Sequence, residues 1–261
     1  MKTDREAPVG VFDSGVGGLT VAREIMRNLP SEKIVYFGDT ARVPYGNKSR
    51  ETVIRYSHQI CRFLQEQQVK AIVVACNTAS AFALDAIRDD FDIPIIGVIE
   101  AGAKVAAART RNKRVGIIGT VGTVGSGIHA EYLRKLDPEI TVFGKACPLF
   151  VPLVEEGWLH DPVTTEVAVR YLRELQDKKV DTLILGCTHY PLLRSTIREI
   201  MGEDVCLVNP AYETALELGR LLTEKGLSST GAQQKEFPYR FFVSDLADEF
   251  KEFANSILPY D

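Results

Sequence analysis

Short apolar runs alternate along the chain with longer stretches whose apolar residues recur every three or four positions. Val/Ile-rich runs bounded by Gly, Pro or Asp predict strands over 8–12, 34–37, 71–75, 95–99, 114–118, 140–143, 182–185 and 205–207. Helical spacing predicts helices over 18–28, 50–67, 79–89, 101–108, 127–136, 164–177, 192–201 and 212–225. In the second of these, Val53, Ile54, Ile60, Cys61 and Leu64 fall on one face. The strands are continuously apolar rather than alternating, so both faces of their sheet must be covered. Strand–helix alternation of this kind predicts an α/β fold with mostly parallel sheets.

The pattern also repeats. The run from Val9 through Asp13-Ser14-Gly15-Val16-Gly17-Gly18 has a partner starting at Val115, 106 positions on. Val73-Val74-Ala75-Cys76-Asn77-Thr78 has a partner in Ile184-Leu185-Gly186-Cys187-Thr188-His189, with the cysteines 111 positions apart. Two pairs at nearly one offset predict two similar doubly wound lobes. The first spans 1–99 and carries Asp13 and Cys76; the second spans 100–209 and carries Glu155 and Cys187. Residues 210–261 exceed two repeats and are expected to pack back on the first lobe.

Composition narrows the function. With 31 basic and 35 acidic residues and a net charge of −4, the chain has no basic stripe for nucleic acid. No apolar run approaches the roughly 20 residues that span a bilayer, and the polar start Met1-Lys2-Thr3-Asp4-Arg5-Glu6 is no signal peptide. A cytoplasmic protein without membrane association is therefore expected. The five cysteines form an odd set without zinc-site spacing, which favours free thiols and no metal.

In open α/β sheets the loops at strand carboxyl ends form the binding crevice. Asp13-Ser14, Cys76-Asn77-Thr78, Thr120 and Cys187-Thr188-His189 all fall at such ends. The glycines after Ser14 permit a tight turn and close backbone approach, but their spacing is not a dinucleotide fingerprint and no P-loop Lys follows. The plain alternative is an N-cap by Asp13 or Ser14. A buried cysteine is ordinarily a small hydrophobe, which fits Cys61 and Cys206; Cys147, in a turn before Pro148, is given no role. Cys76 and Cys187 differ, since each is expected to end a strand at a helix N-terminus, where the dipole favours a thiolate. Two equivalent thiols suit a reaction needing one acid–base group on each face of a substrate, such as inversion of a stereocentre by proton movement. His189 is spaced to tune Cys187 or supply a proton. Glu155 and Glu156 sit on a short helical stretch, where solvation is the default. Val43-Pro44-Tyr45-Gly46 reads as a turn, with Tyr45 a lid residue or simply exposed.

Together these residues resemble the glutamate racemases of the cofactor-independent amino-acid racemase superfamily. The matching strings are Gly10 to Leu19, Asp39-Thr40-Ala41-Arg42-Val43-Pro44-Tyr45-Gly46, Ala75-Cys76-Asn77-Thr78-Ala79 and Leu185-Gly186-Cys187-Thr188-His189-Tyr190-Pro191. The resemblance implies two α/β domains with the active site in the cleft between them. It implies Cys76 and Cys187 as the acid–base pair, Asp13 as partner to the first thiol, and Glu155 with His189 supporting the second. Asp13, Ser14, Tyr45, Gly46, Asn77, Thr78, Thr120, Thr188 and His189 would bind or orient L- or D-glutamate. It further implies a bacterial source, D-glutamate supply for peptidoglycan, no cofactor and a homodimer. Only nine residues precede Gly10, as in family members for which activation by a cell-wall precursor is not expected.

The expected chemistry is a two-base 1,1-proton transfer. An α-proton is weakly acidic and the sequence offers no pyridoxal-lysine signal, so preorganised donors must stabilise the developing charge. Aspartate racemisation on the same scaffold is the alternative. A cysteine nucleophile with Cys187 and His189 is disfavoured because two residues apart in a turn is poor thiol–base geometry. A two-lobed amino-acid-binding protein is the non-enzymatic alternative, and the two thiols count against it.

Overall fold

The computed structural model describes residues 4–231, 238–245 and 247–258; residues 1–3, the first part of the polar start, lie outside these. The chain divides into two compact units, Met1–Val98 with Ala211–Asp261, and Ile99–Pro210.

The elements run β1 (Val9–Asp13), α1 (Leu19–Asn28), β2 (Ile34–Gly38), α2 (Arg50–Glu66), β3 (Ala71–Val74), α3 (Asn77–Arg88) and β4 (Ile95–Gly97). Next come α4 (Val98–Arg109), β5 (Arg114–Gly119), α5 (Val121–Gly125), α6 (Ile128–Leu136), β6 (Thr141–Ala146), α7 (Phe150–Glu155) and α8 (Pro162–Asp177). The chain continues through β7 (Thr182–Gly186), α9 (Arg194–Met201), β8 (Cys206–Val208), α10 (Pro210–Glu224), β9 (Tyr239–Val243) and α11 (Ala247–Ile257). Single 3-10 turns sit at Tyr45–Asn47 and Tyr190–Leu193.

The first unit holds a five-stranded sheet in the order β4-β3-β1-β2-β9, the second a four-stranded sheet in the order β6-β5-β7-β8. Every strand pair in both is parallel. Matching β1 to β5 and β3 to β7 makes β4-β3-β1-β2 read as β8-β7-β5-β6, so the sequence repeat is a repeat of topology. β1 and β7 are buried along their whole length, as continuous apolar runs require.

Local chemistry sets the helices. Ser49 caps α2 by accepting from Thr52 N–H at 3.3 Å, and α2 buries Val53, Ser57, Ile60, Cys61 and Leu64 on its sheet-facing side. Burying Val53, Ile60 and Leu64 stabilises the fold by about 2 kcal/mol each. Neither Asp13 nor Ser14 caps α1. Its N-cap is Gly18, without a side-chain bond. Three elements escape the sequence pattern. β9 is a half-exposed edge strand with aromatic residues on both faces. α11 buries only Phe250 and Ala254, and α5 is five residues long with two glycines. Among the described residues no helix is long and apolar enough to cross a membrane.

Candidate active site

In the first unit, the candidate residues gather at the carboxyl ends of β1, β2 and β3. Phe12 pairs with Val74 and Asp13 with Gly38, so the three loops leave the sheet side by side. Cys76 is the N-cap of the twelve-residue α3, and its sulfur accepts from Ala79 N–H at 3.4 Å. Its Sγ also lies 3.6 Å from Ser14 Oγ. The dipole of α3 and the N–H both favour negative charge on this sulfur.

Asp13 is fully buried, and its Oδ2 accepts from Gly15 N–H at 2.9 Å, folding the loop back on the strand end. Tyr36 donates to Gly15 O at 2.9 Å. Burial, then the neighbouring Asp13 and Cys76, push the Tyr36 phenol far above its usual range, so it stays a donor. Gly18 is required here: a Cβ on it would stand 2.3 Å from Asp13 Cβ. Asn77 and Thr78 open α3 and are buried. Asn77 Oδ1 accepts no hydrogen bond among the described residues.

Tyr45 is fully buried rather than exposed, and donates to Asp39 Oδ2. Asp39, one residue past β2, also accepts from Arg42 Nε and Ser244 Oγ, both at 2.9 Å. It thereby ties the Tyr45-Gly46 turn to the strand end and to the segment after β9. The sequence reading gave Asp39 no role, although its position just beyond a strand end is the same signal that marked Asp13.

The second unit arranges its thiol differently. Gly119 and Gly186 are paired, so Thr120 and Cys187 leave adjacent strand ends. Thr120 caps α5 by accepting from Thr123 N–H at 3.1 Å. Cys187 is 7% exposed, close to the 5% of Cys76. It does not begin an α-helix, contrary to the sequence expectation. The chain turns through Thr188 and His189 into the 3-10 turn, and α9 starts only at Arg194. The helix predicted over 192–201 begins too far along to be headed by Cys187, and Pro191, with its missing N–H and fixed φ, suits the tight turn between them.

An imidazole stands where the dipole was expected. His189 Nδ1 lies 3.7 Å from Cys187 Sγ, and Nε2 lies 3.0 Å from Glu155 Oε1. The turn therefore brings thiol and ring into reach, correcting the geometric objection drawn from spacing. Burial alone would lower the His189 pKa, but Cys187 and Glu155 outweigh it and raise the pKa to about 10. Glu155 is no idle surface residue. It ends α7, which Phe150 fixes by an edge-on contact with Tyr190, 5.2 Å between centroids. Glu156 is exposed and Thr188 buried. Burial pushes the thiols of Cys61 and Cys147 up to about 12. Cys206, half-buried, opens β8.

Comparisons with known proteins bear on this arrangement. Residues 16–216 match the Asp/Glu/Hydantoin racemase family. A glutamate racemase of Geobacter metallireducens is 51% identical over 96% of this chain and 92% of its own. The crystal structure of a Bacillus anthracis glutamate racemase, isoform RacE1, has a TM-score of 0.94 at 42% identity, covering 98% of this chain and 96% of that one. A Francisella tularensis glutamate racemase, solved with D-glutamate, has a TM-score of 0.91 at 41% identity over 98% and 95% of the two chains. A Picrophilus torridus aspartate racemase shares the fold at 18% identity and a TM-score of 0.59, covering 84% of this chain and 94% of that one.

Proposed function

Because this chain belongs to the Asp/Glu/Hydantoin racemase family and is an isomerase, we propose that it interconverts L- and D-glutamate by two-base proton transfer, with Cys76 and Cys187 as the bases. The observation that carries this reading is the pair of buried cysteines at matching strand ends, each with its own groups for handling a proton. The chemistry balances without a redox step. A thiolate takes the α-proton, so the Cα–H bond breaks, an S–H bond forms and the electron pair stays on the substrate as a planar carbanion. The second thiol delivers its proton to the other face, forming the new Cα–H bond and leaving a thiolate. The two cysteines have then exchanged protonation states.

Cys187 acts as base toward L-glutamate and Cys76 toward D-glutamate. Imidazolium at His189, held by Glu155, stabilises thiolate at Cys187. The N-terminus of α3 and Ala79 N–H do the same for Cys76. Asp13 orients the first thiol. Ser14, Tyr45, Gly46, Asn77, Thr78, Thr120 and Thr188 bind substrate, and their donors stabilise the carbanion. The D-glutamate formed serves peptidoglycan synthesis, and the protein acts as a cytoplasmic homodimer.

The test is circular dichroism of L-glutamate with purified, reduced protein and no added cofactor. Decay to zero is expected. A flat trace from folded, reduced protein overturns the reading, and faster loss of signal from L-aspartate reassigns the substrate.

A further inference from the structure

A cavity of about 100 Å³ lies within the second unit, behind the segment that carries Cys187. Its walls come from β5 and β6 through Ile117, Val142 and Gly144, and from α5 and the start of α6 through Thr123, Val124 and His129. His129 is 2% exposed, and neither of its ring nitrogens has a hydrogen-bond partner among the described residues. Its Cε1 lies 3.6 Å from where a Cβ on Gly186 would stand, so the ring sits between the cavity and the residue before Cys187. None of the groups assigned to racemisation uses this ring.

A buried polar group without a partner is costly, and an imidazole lining a cavity offers a ligand both donor and acceptor. Burial lowers the His129 pKa to about 4, so the ring is neutral at pH 7. The walls carry no charged side chain, and a charged ligand would lie there unpaired. A cavity of about 150 Å³ holds benzene. By proportion this one holds about four non-hydrogen atoms. We propose that the cavity is a binding site for a small neutral molecule with a hydroxyl or primary amide group, which hydrogen-bonds to His129 and lays its apolar part against Ile117, Val124 and Val142.

The test needs no turnover, so it is independent of the racemase reading. 2-Propanol and acetamide, each of four non-hydrogen atoms, are titrated into the full-length protein while the ring Cε1–Hε1 signals of the four histidines are followed. His129→Phe identifies the His129 signal by its disappearance, and exposed His160 serves as internal reference. The expected result is a His129 shift that saturates in the millimolar range, with nuclear Overhauser contacts from the probe methyl to Val124, while His160 drifts linearly. Ala130 also lines the cavity, and Ala130→Leu, which fills it and keeps the ring, should abolish saturation. A His129 signal that drifts linearly like that of His160 with both probes means that the cavity holds water only, and overturns the proposal. Since wild-type protein gives this result by itself, misfolding of either variant does not protect the idea.

Discussion

The two thiol sites derive from one sequence device and reach similar burial by different means. Cys76 stands at the head of a twelve-residue helix and takes a backbone N–H on its sulfur. Cys187 enters a turn, with His189 at 3.7 Å and Glu155 behind the ring. One sulfur caps a helix and takes its fixed dipole, the other faces an imidazole whose charge depends on its neighbours. A repeat can thus conserve the position of a reactive atom while exchanging the physics that serves it. The largest effect that tests this pairing is loss of either sulfur. Cys76→Ala and Cys187→Ala should each lower racemisation at least ~10³-fold, the upper part of the range for a positioned acid–base group. A near wild-type rate in one variant breaks the two-base scheme and leaves that cysteine a structural thiol.

The sequence made this comparison possible and also obscured half of it. Parallel pairing and the duplication of the lobes are legible because buried parallel strands leave unbroken Val/Ile runs, whereas the order of strands within each sheet is not written in any one run. Cys76 at the head of α3 was legible because Ala-rich 79–89 reads as helix directly after it. The setting of Cys187 is less legible, because the apolar pattern of 192–201 marks a following helix but does not show that a 3-10 turn separates it from the thiol. The His189–Glu155 pairing joins residues 34 positions apart, and no spacing rule predicts it. Asp39 gathers Tyr45, Arg42 and Ser244 across a span of 205 positions. β9 and α11 were missed because a half-exposed edge strand and a helix burying two residues have little pattern to show.

The titratable support of the second unit predicts an asymmetry in pH dependence. His129, buried and neutral, has its pKa lowered from 6.5 to about 4. The unfolded chain takes up a proton that the folded chain refuses, so stability is lost as pH falls from 6.5 toward 4. The loss is about 3 kcal/mol at full extent. His189 has the opposite sign. Its pKa is raised, so its contribution is complete below 6.5 and is lost as pH rises toward 10. Denaturant midpoints across this range should fall at both ends, His129→Phe should flatten the acid limb, and His189→Gln the alkaline limb. Acid and alkaline slopes that survive these substitutions would place the pH sensitivity elsewhere. In activity, His189→Gln should reduce kcat/KM by roughly 10²-fold, since it removes the charge beside Cys187. Glu155→Gln, which leaves the imidazole in place, should cost less.

Ser14→Ala sharpens the comparison from the other side and has the smallest effect. The hydroxyl lies 3.6 Å from Cys76 Sγ, but the sulfur keeps Ala79 N–H and the helix dipole when it is removed. One weak hydrogen bond corresponds to about 1 kcal/mol, so kcat/KM should fall less than about tenfold. The two directions of racemisation carry a constraint that makes this small effect informative. The enantiomers have equal free energy, so kcat/KM must change by the same factor for L- and D-glutamate. The separate kcat values are under no such constraint. A hydroxyl that serves the Cys76 sulfur as well as the substrate should change kcat more for D-glutamate, toward which Cys76 is the proposed base, than for L-glutamate. Ser14→Thr, which restores the hydroxyl, should restore that balance. Equal changes in the two kcat values would mean that Ser14 serves the substrate alone. The first thiol would then rest on the α3 N-terminus and Asp13, as the second rests on His189 and Glu155.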